Sequence, residues 1–86
     1  MLKYELLPDH CRDGMRLYVE FGIMPGSFLT AVLENNLVEA FACADEENIH
    51  RMFDYASFLY NEMPRNAWGS PKTVQDWAKA RRADKP

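Results

Sequence analysis

Apolar and polar residues alternate with the period of an α-helix along most of the chain. The first such stretch runs from Asp9 to Phe21. Pro8 fits a first helical position, where its missing N–H is no loss, and Gly22 is a typical left-handed stop. Residues 1–7 lack this period, and we expect an arm that is either a strand or an extended segment. The apolar stripe of the helix consists of Cys11, Met15, Tyr18 and Phe21, broadened by Leu17 and Val19.

Two shorter helical patterns follow in the most apolar part of the chain. A Pro-Gly turn precedes Ser27, whose hydroxyl can accept a hydrogen bond from the next turn as an N-cap. Asn35 and Asn36 interrupt the apolar run, because asparagine competes for backbone hydrogen bonds and tolerates left-handed geometry. Asn36 can cap the second helix, and a single kinked helix from Ser27 to Ala44 is the alternative. The residues expected to face inward are Phe28, Leu29, Val32 and Leu33, then Leu37, Ala40 and Phe41.

Asp45 starts the longest amphipathic pattern, which we expect to be the central packing helix, and Pro64 ends it. Ser70 and Pro71 start a last helix, as an N-cap followed by proline at the first helical position. We expect this helix to fray into a basic tail over residues 79–86. The inward residues are expected to be Ile49, Met52, Phe53, Ala56, Leu59, Tyr60 and Met63, then Val74, Trp77, Ala78 and Arg81.

These patterns predict an all-α fold, in which residues 1–86 form one compact domain of four or five short helices joined by short turns. The chain lacks the sustained period-two alternation that a sheet needs. A domain of this size buries only about 60–65% of the surface that its unfolded chain exposes. Its stability is therefore modest, and homo-oligomerisation is an expected supplement.

The charge of the chain limits its partners. A net charge of −3 disfavours duplex DNA, because phosphate contacts need Lys and Arg. Residues 45–63 carry five carboxylates against one arginine, whereas residues 64–86 carry six basic residues against two acidic ones. These segments are either two solvated faces or, for the basic one, a tail that docks on an acidic or phosphate-bearing partner.

The chain has neither a secretory signal nor an apolar stretch long enough to span a membrane. Its two cysteines, Cys11 and Cys43, are too few for a disulfide framework. We therefore expect a cytoplasmic protein with free thiols.

Residues that could bind a metal or act as nucleophiles lack the spacing that such sites need. His10, Cys11, Cys43 and His50 form no CxxC, HExxH or i,i+4 histidine pair. The carboxylates of residues 45–47 fit the start of a helix better than an acid–base pair. We therefore predict no enzyme activity, no metal site and no cofactor.

Two helix starts preceded by small residues offer free N–H groups to an anion, one at Gly26 and Ser27 and one at Ser70. The second is the weaker donor because Pro71 has no N–H. Ordinary helix capping is the alternative at both. The residues that we assign to a ligand site at the first start are Arg12, Arg16, Tyr18, Gly26, Ser27, Phe28, Tyr60 and Trp68, which supply charge, free N–H groups and stacking surfaces.

A protein partner would use a different set of side chains. Trp68 lies in a loop, and tryptophan and tyrosine are typical interface anchors. Tyr55 falls off the main stripe of its helix, so we expect it to be exposed. The partner-binding candidates are therefore Tyr55, Arg65 and Trp68, with the alternative that Trp68 folds back onto the core.

The motifs LPDHCRDGMRLYVEFGIMPGSFLTAVLENNLVEAFACADEEN, FLYNEMP and WGSP occur in this order and are followed by Trp77. This arrangement, from Leu7 to Trp77, resembles a family of small proteins encoded by tailed bacteriophages and prophages. No catalytic residues come with the resemblance. It implies a protein that acts in the cytoplasm of an infected bacterium, where small phage proteins bind host machinery, host defence components or signalling nucleotides.

Three functional hypotheses follow. The first is a non-enzymatic accessory protein that binds and modulates a host factor, as a counter-defence inhibitor. The second is a sponge that sequesters an anionic signalling nucleotide. The third is a DNA-binding regulator, because the two helices around Asn35 and Asn36 resemble a helix-turn-helix. The second of those helices, however, has only Glu39 as a charged residue.

Overall fold

Capping interactions set most helix boundaries in a computed structural model of the protein, which describes residues 2–83. The side chains of Asn36, Asp45 and Ser70 each accept a hydrogen bond from the backbone N–H three residues later, at 3.2, 2.7 and 3.2 Å. Gly22 ends the first helix with a φ of 71°, and Asn35 has a φ of 63° between the second and third helices. The boundaries predicted at these residues are therefore confirmed.

The described residues form six α-helices and two single turns of 3₁₀-helix, and the all-α prediction is confirmed with more helices than expected. The predicted arm is a 3₁₀ turn rather than a strand. None of the helices within residues 2–83 is long and apolar enough to cross a membrane. The helices are α1 (Asp9–Phe21), α2 (Ser27–Leu33), α3 (Leu37–Cys43), α4 (Glu46–Ile49), α5 (Met52–Asn61) and α6 (Pro71–Ala83), and the 3₁₀ turns cover Tyr4–Leu6 and Arg65–Ala67.

The single helix expected after Asp45 is divided into α4 and α5. At His50 and Arg51 the backbone N–H groups bond to carbonyl oxygens three residues back, at 3.2 and 2.9 Å, which tightens the chain into a turn. The Arg51 guanidinium leaves this turn to donate to the Leu6 carbonyl oxygen at 3.2 Å. No proline or glycine marks the break, so the sequence pattern could not reveal it.

The last helix is longer than expected. It continues to Ala83, so the predicted frayed tail is helical as far as that residue, and the rest of the tail lies outside the described residues. Arg82 donates to the Gly22 carbonyl oxygen at 2.9 Å, and the Arg81 guanidinium carbon lies 4.2 Å from the centre of the Trp77 ring. Arg82 therefore connects α6 to the end of α1, and Arg81 packs against a side chain of its own helix.

α1 lies at the centre of the molecule, in contact with α2, α6 and the first 3₁₀ turn. The Tyr18 hydroxyl donates to the Ala67 carbonyl oxygen at 2.7 Å, and the Trp77 indole N–H donates to the Val19 carbonyl oxygen at 3.2 Å. The inward stripes predicted for α1 and α6 are confirmed, since their buried residues are Cys11, Met15, Tyr18 and Val19, then Val74, Trp77 and Ala78. Phe21 and Arg81 are half-buried.

The faces of α3 and α5 differ from the prediction. In α3 only Ala40 is buried, whereas Leu37 and Phe41 are exposed. In α5 the predicted stripe of Phe53, Ala56 and Tyr60 faces solvent. The buried face of α5 consists of Tyr55, Phe58 and Leu59, of which only Leu59 was predicted to face inward.

Asn48 explains which face of α5 is buried. It is the one residue with an amide or charged side chain that is buried among residues 2–83. Its Oδ1 accepts a hydrogen bond from the Tyr55 hydroxyl at 2.7 Å, and its amide lies 3.7 Å from the Cys11 sulfur. A buried amide without partners would cost about 1–3 kcal/mol. The network therefore favours the arrangement in which Tyr55 points inward, and α1, α4 and α5 meet at Asn48.

The close approach of α6 to Gly22 gives a test of the fold. In Gly22→Ala the new Cβ would lie 2.3 Å from the Ala78 carbonyl oxygen. A left-handed L-residue also costs about 1–2 kcal/mol. We expect the free energy of unfolding in urea to fall by at least about 2 kcal/mol.

The matched control is Gly26→Ala, whose Cβ would meet nothing within 4 Å and whose φ is −68°. It should lose less than about 1 kcal/mol. Equal losses in the two variants would contradict the described contact between α1 and α6.

Candidate functional site

The cavity beside the start of α2 does not have the charge that an anion needs. It has a volume of about 550 Å³, and Gly26, Ser27 and Phe28 line it together with His10 and Asp45. The Asp45 carboxylate accepts a backbone hydrogen bond and a second one from the His10 ring, and these interactions lower its pKa. A carboxylate that stays charged in this cavity opposes the binding of phosphate.

Ser27 does not act as the expected cap. The N-cap of α2 is Gly26, and no side chain accepts a capping hydrogen bond there. Ser27 is the first residue of a helix of only seven residues. The capping prediction for Ser27 is therefore wrong. Gly26, whose backbone is extended, takes the N-cap position of α2 instead.

The two arginines assigned to the ligand site lie elsewhere. Arg12 donates to the carbonyl oxygens of Glu5 and Leu7, at 2.9 and 2.8 Å, and so holds the first 3₁₀ turn against α1. Arg16 lies within 3.9 and 3.8 Å of two carboxylates of its own helix. Neither side chain lines the cavity at Gly26 and Ser27.

Tyr18 and Tyr55 do not present an exposed side chain to a ligand or partner, because both are buried in the core at 0% and 1% exposure. Burial raises the pKa of both phenols, and each donates a hydrogen bond inside the protein. The prediction that Tyr55 is exposed is wrong. The prediction assumed that the most apolar positions of α5 face inward. These positions lie one residue further along the chain than the positions that are buried.

Three of the predicted residues do come together. Tyr60, Arg65 and Trp68 line one groove of about 620 Å³, which we call the Trp68 groove. Tyr60 is exposed, and Trp68 is half-buried against the core, between the two arrangements expected for it. The Arg65 guanidinium has no ion pair within residues 2–83, so a single cation is available to a ligand there. The remaining lining residues are Asn35, Met63 and Gly69.

A second groove, which the sequence did not predict, runs between α2, α3 and α5. It has a volume of about 250 Å³ and a mostly apolar lining, and we call it the α3–α5 groove. Leu37 at one rim is 67% exposed, and Phe53 at the other is 81% exposed. Asn35 lines both grooves, so the two are neighbours on the surface. The other lining residues are Ala31, Val32, Asn36, Ala40, Phe41, Met52, Tyr55, Ala56 and Leu59.

This groove was missed because its rim residues were assigned to the core. A signal for it does exist in the sequence. α5 is apolar on opposite sides, with Phe58 and Leu59 on one and Phe53 and Tyr60 on the other. A helix that is apolar all round is normally buried all round. A chain of 86 residues has too little material to cover both faces.

The segment that forms the groove is strongly acidic. Residues 34–63 carry seven carboxylates and only one basic side chain apart from histidine, Arg51. Arg51 forms a short ion pair with Asp54 and lies 3.9 Å from Glu47, so its charge is already compensated. The segment 34–63, which supplies most of the groove's lining, therefore carries a net negative charge.

His10, Cys11 and Cys43 line the cavity beside the start of α2, and within residues 2–83 each thiol bonds to an amide or carboxylate side chain rather than to a histidine. Cys11 is buried beside Asn48, and the Cys43 thiol donates to the Glu39 carboxylate at 3.3 Å. That hydrogen bond raises the pKa of the Cys43 thiol, which lowers the fraction of reactive thiolate. Within residues 2–83 no group of three or more His, Cys, Asp or Glu side chains is placed to hold a metal ion.

Mutation can compare two predicted capping residues, Ser27 at α2 and Asn36 at α3. We expect Ser27→Ala to change the free energy of unfolding by less than about 0.5 kcal/mol, because no capping hydrogen bond is lost. Asn36→Ala should lose about 1 kcal/mol, because its side chain accepts from the Glu39 N–H. Urea unfolding measures both values, and a larger loss in Ser27→Ala than in Asn36→Ala would contradict these assignments.

The lowered pKa of the Asp45 carboxyl predicts that the protein loses stability in acid. Hydrogen bonds from the Asn48 backbone and from His10 lower the pKa of its carboxyl in the folded protein below the usual value of 3.8. A depressed folded pKa gives stability that is present above the unfolded pKa and is lost as the pH falls through the folded pKa. We therefore expect Tm to fall below about pH 4.

Asp45→Asn should reduce the size of this fall in Tm, because asparagine can still cap α4 but does not titrate. The matched control is Asp13→Asn, at a side chain that is 90% exposed. The same acid-induced fall in Asp45→Asn and in the wild-type protein would contradict the role of Asp45.

Comparison of the chain with family models, with curated proteins and with solved structures finds no match. The resemblance to phage-encoded proteins therefore depends on the sequence motifs alone. The α3–α5 groove, with its exposed aromatic rim and acidic surroundings, is the feature of the described residues that best indicates a function.

Proposed function

We propose that the protein is a non-enzymatic binding protein that attaches to a protein partner through the α3–α5 groove and inhibits the partner by covering part of its surface. One observation carries the proposal: α5 has a second apolar face, with Phe53 and Tyr60 at 81% and 82% exposure, that no other element of the described residues 2–83 covers. Contiguous exposed apolar surface of this kind is typical of interaction sites.

The rim side chains can supply the binding energy. Complete burial of one large apolar side chain is worth about 1.5–3 kcal/mol. Aromatic residues near the centre of an interface often dominate its affinity. Phe41 and Phe53 line the α3–α5 groove, Tyr60 lies on the same exposed side of α5 in the Trp68 groove, and Leu37 adds an aliphatic side chain.

The resemblance to proteins of tailed phages supports a host factor as the partner. A small protein without a reaction centre can modulate a host process by stoichiometric occlusion. We therefore propose a counter-defence inhibitor that acts in the bacterial cytoplasm. This part of the proposal is an argument from family resemblance, whereas the binding surface is argued from geometry.

The alternative functions receive less support. A nucleotide sponge needs several cations, whereas the cavity at Gly26 contains Asp45 and the Trp68 groove offers Arg65 alone. A DNA-binding regulator needs a basic recognition helix, whereas α3 exposes Leu37 and Val38. The exposed face of α3 carries no Lys or Arg that could neutralise phosphates, which dominate affinity for nucleic acids.

The proposal is tested by removing the exposed aromatic rim. We expect the tagged wild-type protein to retain one host protein at near-equal molar amount from a bacterial lysate. The double variant Phe53→Gln, Tyr60→Gln should retain less than about one tenth as much, a loss of 1.4 kcal/mol or more. Both positions are exposed, so the free energy of unfolding should change by less than about 1 kcal/mol.

Gln75→Ala, at an exposed position of α6, is the matched control and should bind like the wild-type protein. Equal capture by the double variant would contradict the assignment of the surface. Sedimentation of the purified protein shows whether it forms a dimer. A dimer that the double variant abolishes would show that the groove joins two copies of this chain, and would overturn the proposal of a host partner.

A further inference from the structure

We propose that the occupant of the α3–α5 groove is an amphipathic helix of the partner whose polar side carries Lys and Arg. This inference rests on the proposed function, because it identifies the partner element that the same groove receives. It is argued from the shape of the groove, from its charge and from the exclusion of a second copy of this chain.

The shape of the groove favours a helix. Its lining includes the small side chains of Ala31, Ala40 and Ala56, while Leu37 and Phe53 form exposed parts of its rims. A volume of about 250 Å³ lies below the range of about 300–1,000 Å³ that is typical of small-molecule sites. A shallow apolar channel between two helices accepts side chains spaced at i, i+3, i+4 and i+7 on an amphipathic helix.

The charge around the groove favours a basic polar face. Arg51 pairs with Asp54 and Glu47, which leaves five of the seven carboxylates in residues 34–63 without a basic partner in that segment. Glu34 follows α2 next to the groove residue Asn35, and Glu39 lies in α3 between the groove residues Leu37 and Ala40. Neither carboxylate has an ion pair within residues 2–83. Complementary charge increases both the rate and the specificity of association.

A second copy of this chain fits the groove poorly. A symmetric dimer would place the same surface of each copy together, so that the two acidic segments would face each other. The basic segment cannot fill the groove of a neighbouring copy either. The apolar residues of α6, Val74, Trp77 and Ala78, are buried against the rest of the chain and are not free to enter another groove.

Two synthetic peptides of about five helical turns, or about 18 residues, test the inference, because they extend beyond the two helices, of 7 and 10 residues, that flank the groove. Both carry leucine at i, i+3, i+4 and i+7, with lysine and arginine at the polar positions of one and glutamate at those of the other. Fluorescence anisotropy should show one-to-one binding of the basic peptide and at least about tenfold weaker binding of the acidic one. Raising the salt from about 50 to 300 mM should weaken the basic peptide several-fold.

Two variants separate apolar docking from nonspecific attraction to an acidic protein. Phe53→Gln should weaken the basic peptide about tenfold at either salt concentration, whereas Gln75→Ala should leave its affinity unchanged. The double variant Glu34→Gln, Glu39→Gln should weaken it a few-fold and reduce its salt dependence. Circular dichroism checks that each variant keeps its helix content.

Equal binding of the two peptides, no binding, or binding that Phe53→Gln leaves unchanged would overturn the inference. Competition with the captured host protein separates this failure from failure of the proposed function. If the aromatic rim is needed for capture but the basic peptide does not displace the host protein, the helix proposal fails and the binding function stands. If the rim is not needed for capture, both fail.

Discussion

A buried amide group must find hydrogen-bond partners inside the protein, and the packing around Asn48 meets this requirement. The Tyr55 hydroxyl donates to the Asn48 carbonyl oxygen at 2.7 Å, and Cys11 lies against the amide at 3.7 Å. Leaving such a group unsatisfied would cost about 1–3 kcal/mol, a large share of the stability of a small domain. The contact links α1, α4 and α5, and it determines that Tyr55 rather than Phe53 points into the core.

The proposed binding surface is a consequence of this packing. With Tyr55, Phe58 and Leu59 buried, the opposite side of α5 still carries Phe53 and Tyr60, and no further element within residues 2–83 covers them. An exposed apolar face of this kind is a liability unless a partner covers it. In the proposed complex, the acidic segment around the groove disfavours close pairing of two copies and favours a basic partner.

Local chemistry was sufficient to predict the fold class and most helix boundaries. The left-handed Gly22 and the side-chain caps of Asn36, Asp45 and Ser70 act through neighbouring backbone atoms, so the sequence reveals them directly. The buried faces of α3 and α5 depend on long-range contacts such as that between Cys11 and Asn48, 37 residues apart. Periodicity cannot choose between two apolar faces of one helix, and it assigned Phe53 and Tyr60 to the core. The error that assigned Phe53 and Tyr60 to the core and Tyr55 to the surface therefore also prevented prediction of the α3–α5 groove.

Chemical footprinting of the four tyrosines tests the orientation of α5 most directly. The folded protein is treated with a tyrosine-nitrating reagent, and modification of each site is followed by mass spectrometry. Tyr60, at 82% exposure, should react rapidly, whereas Tyr18 and Tyr55 should stay protected until the protein unfolds. Modification of Tyr55 at a rate equal to or above that of Tyr60 would show that α5 presents the other face to the core, and would contradict both the Asn48 network and the proposed binding surface.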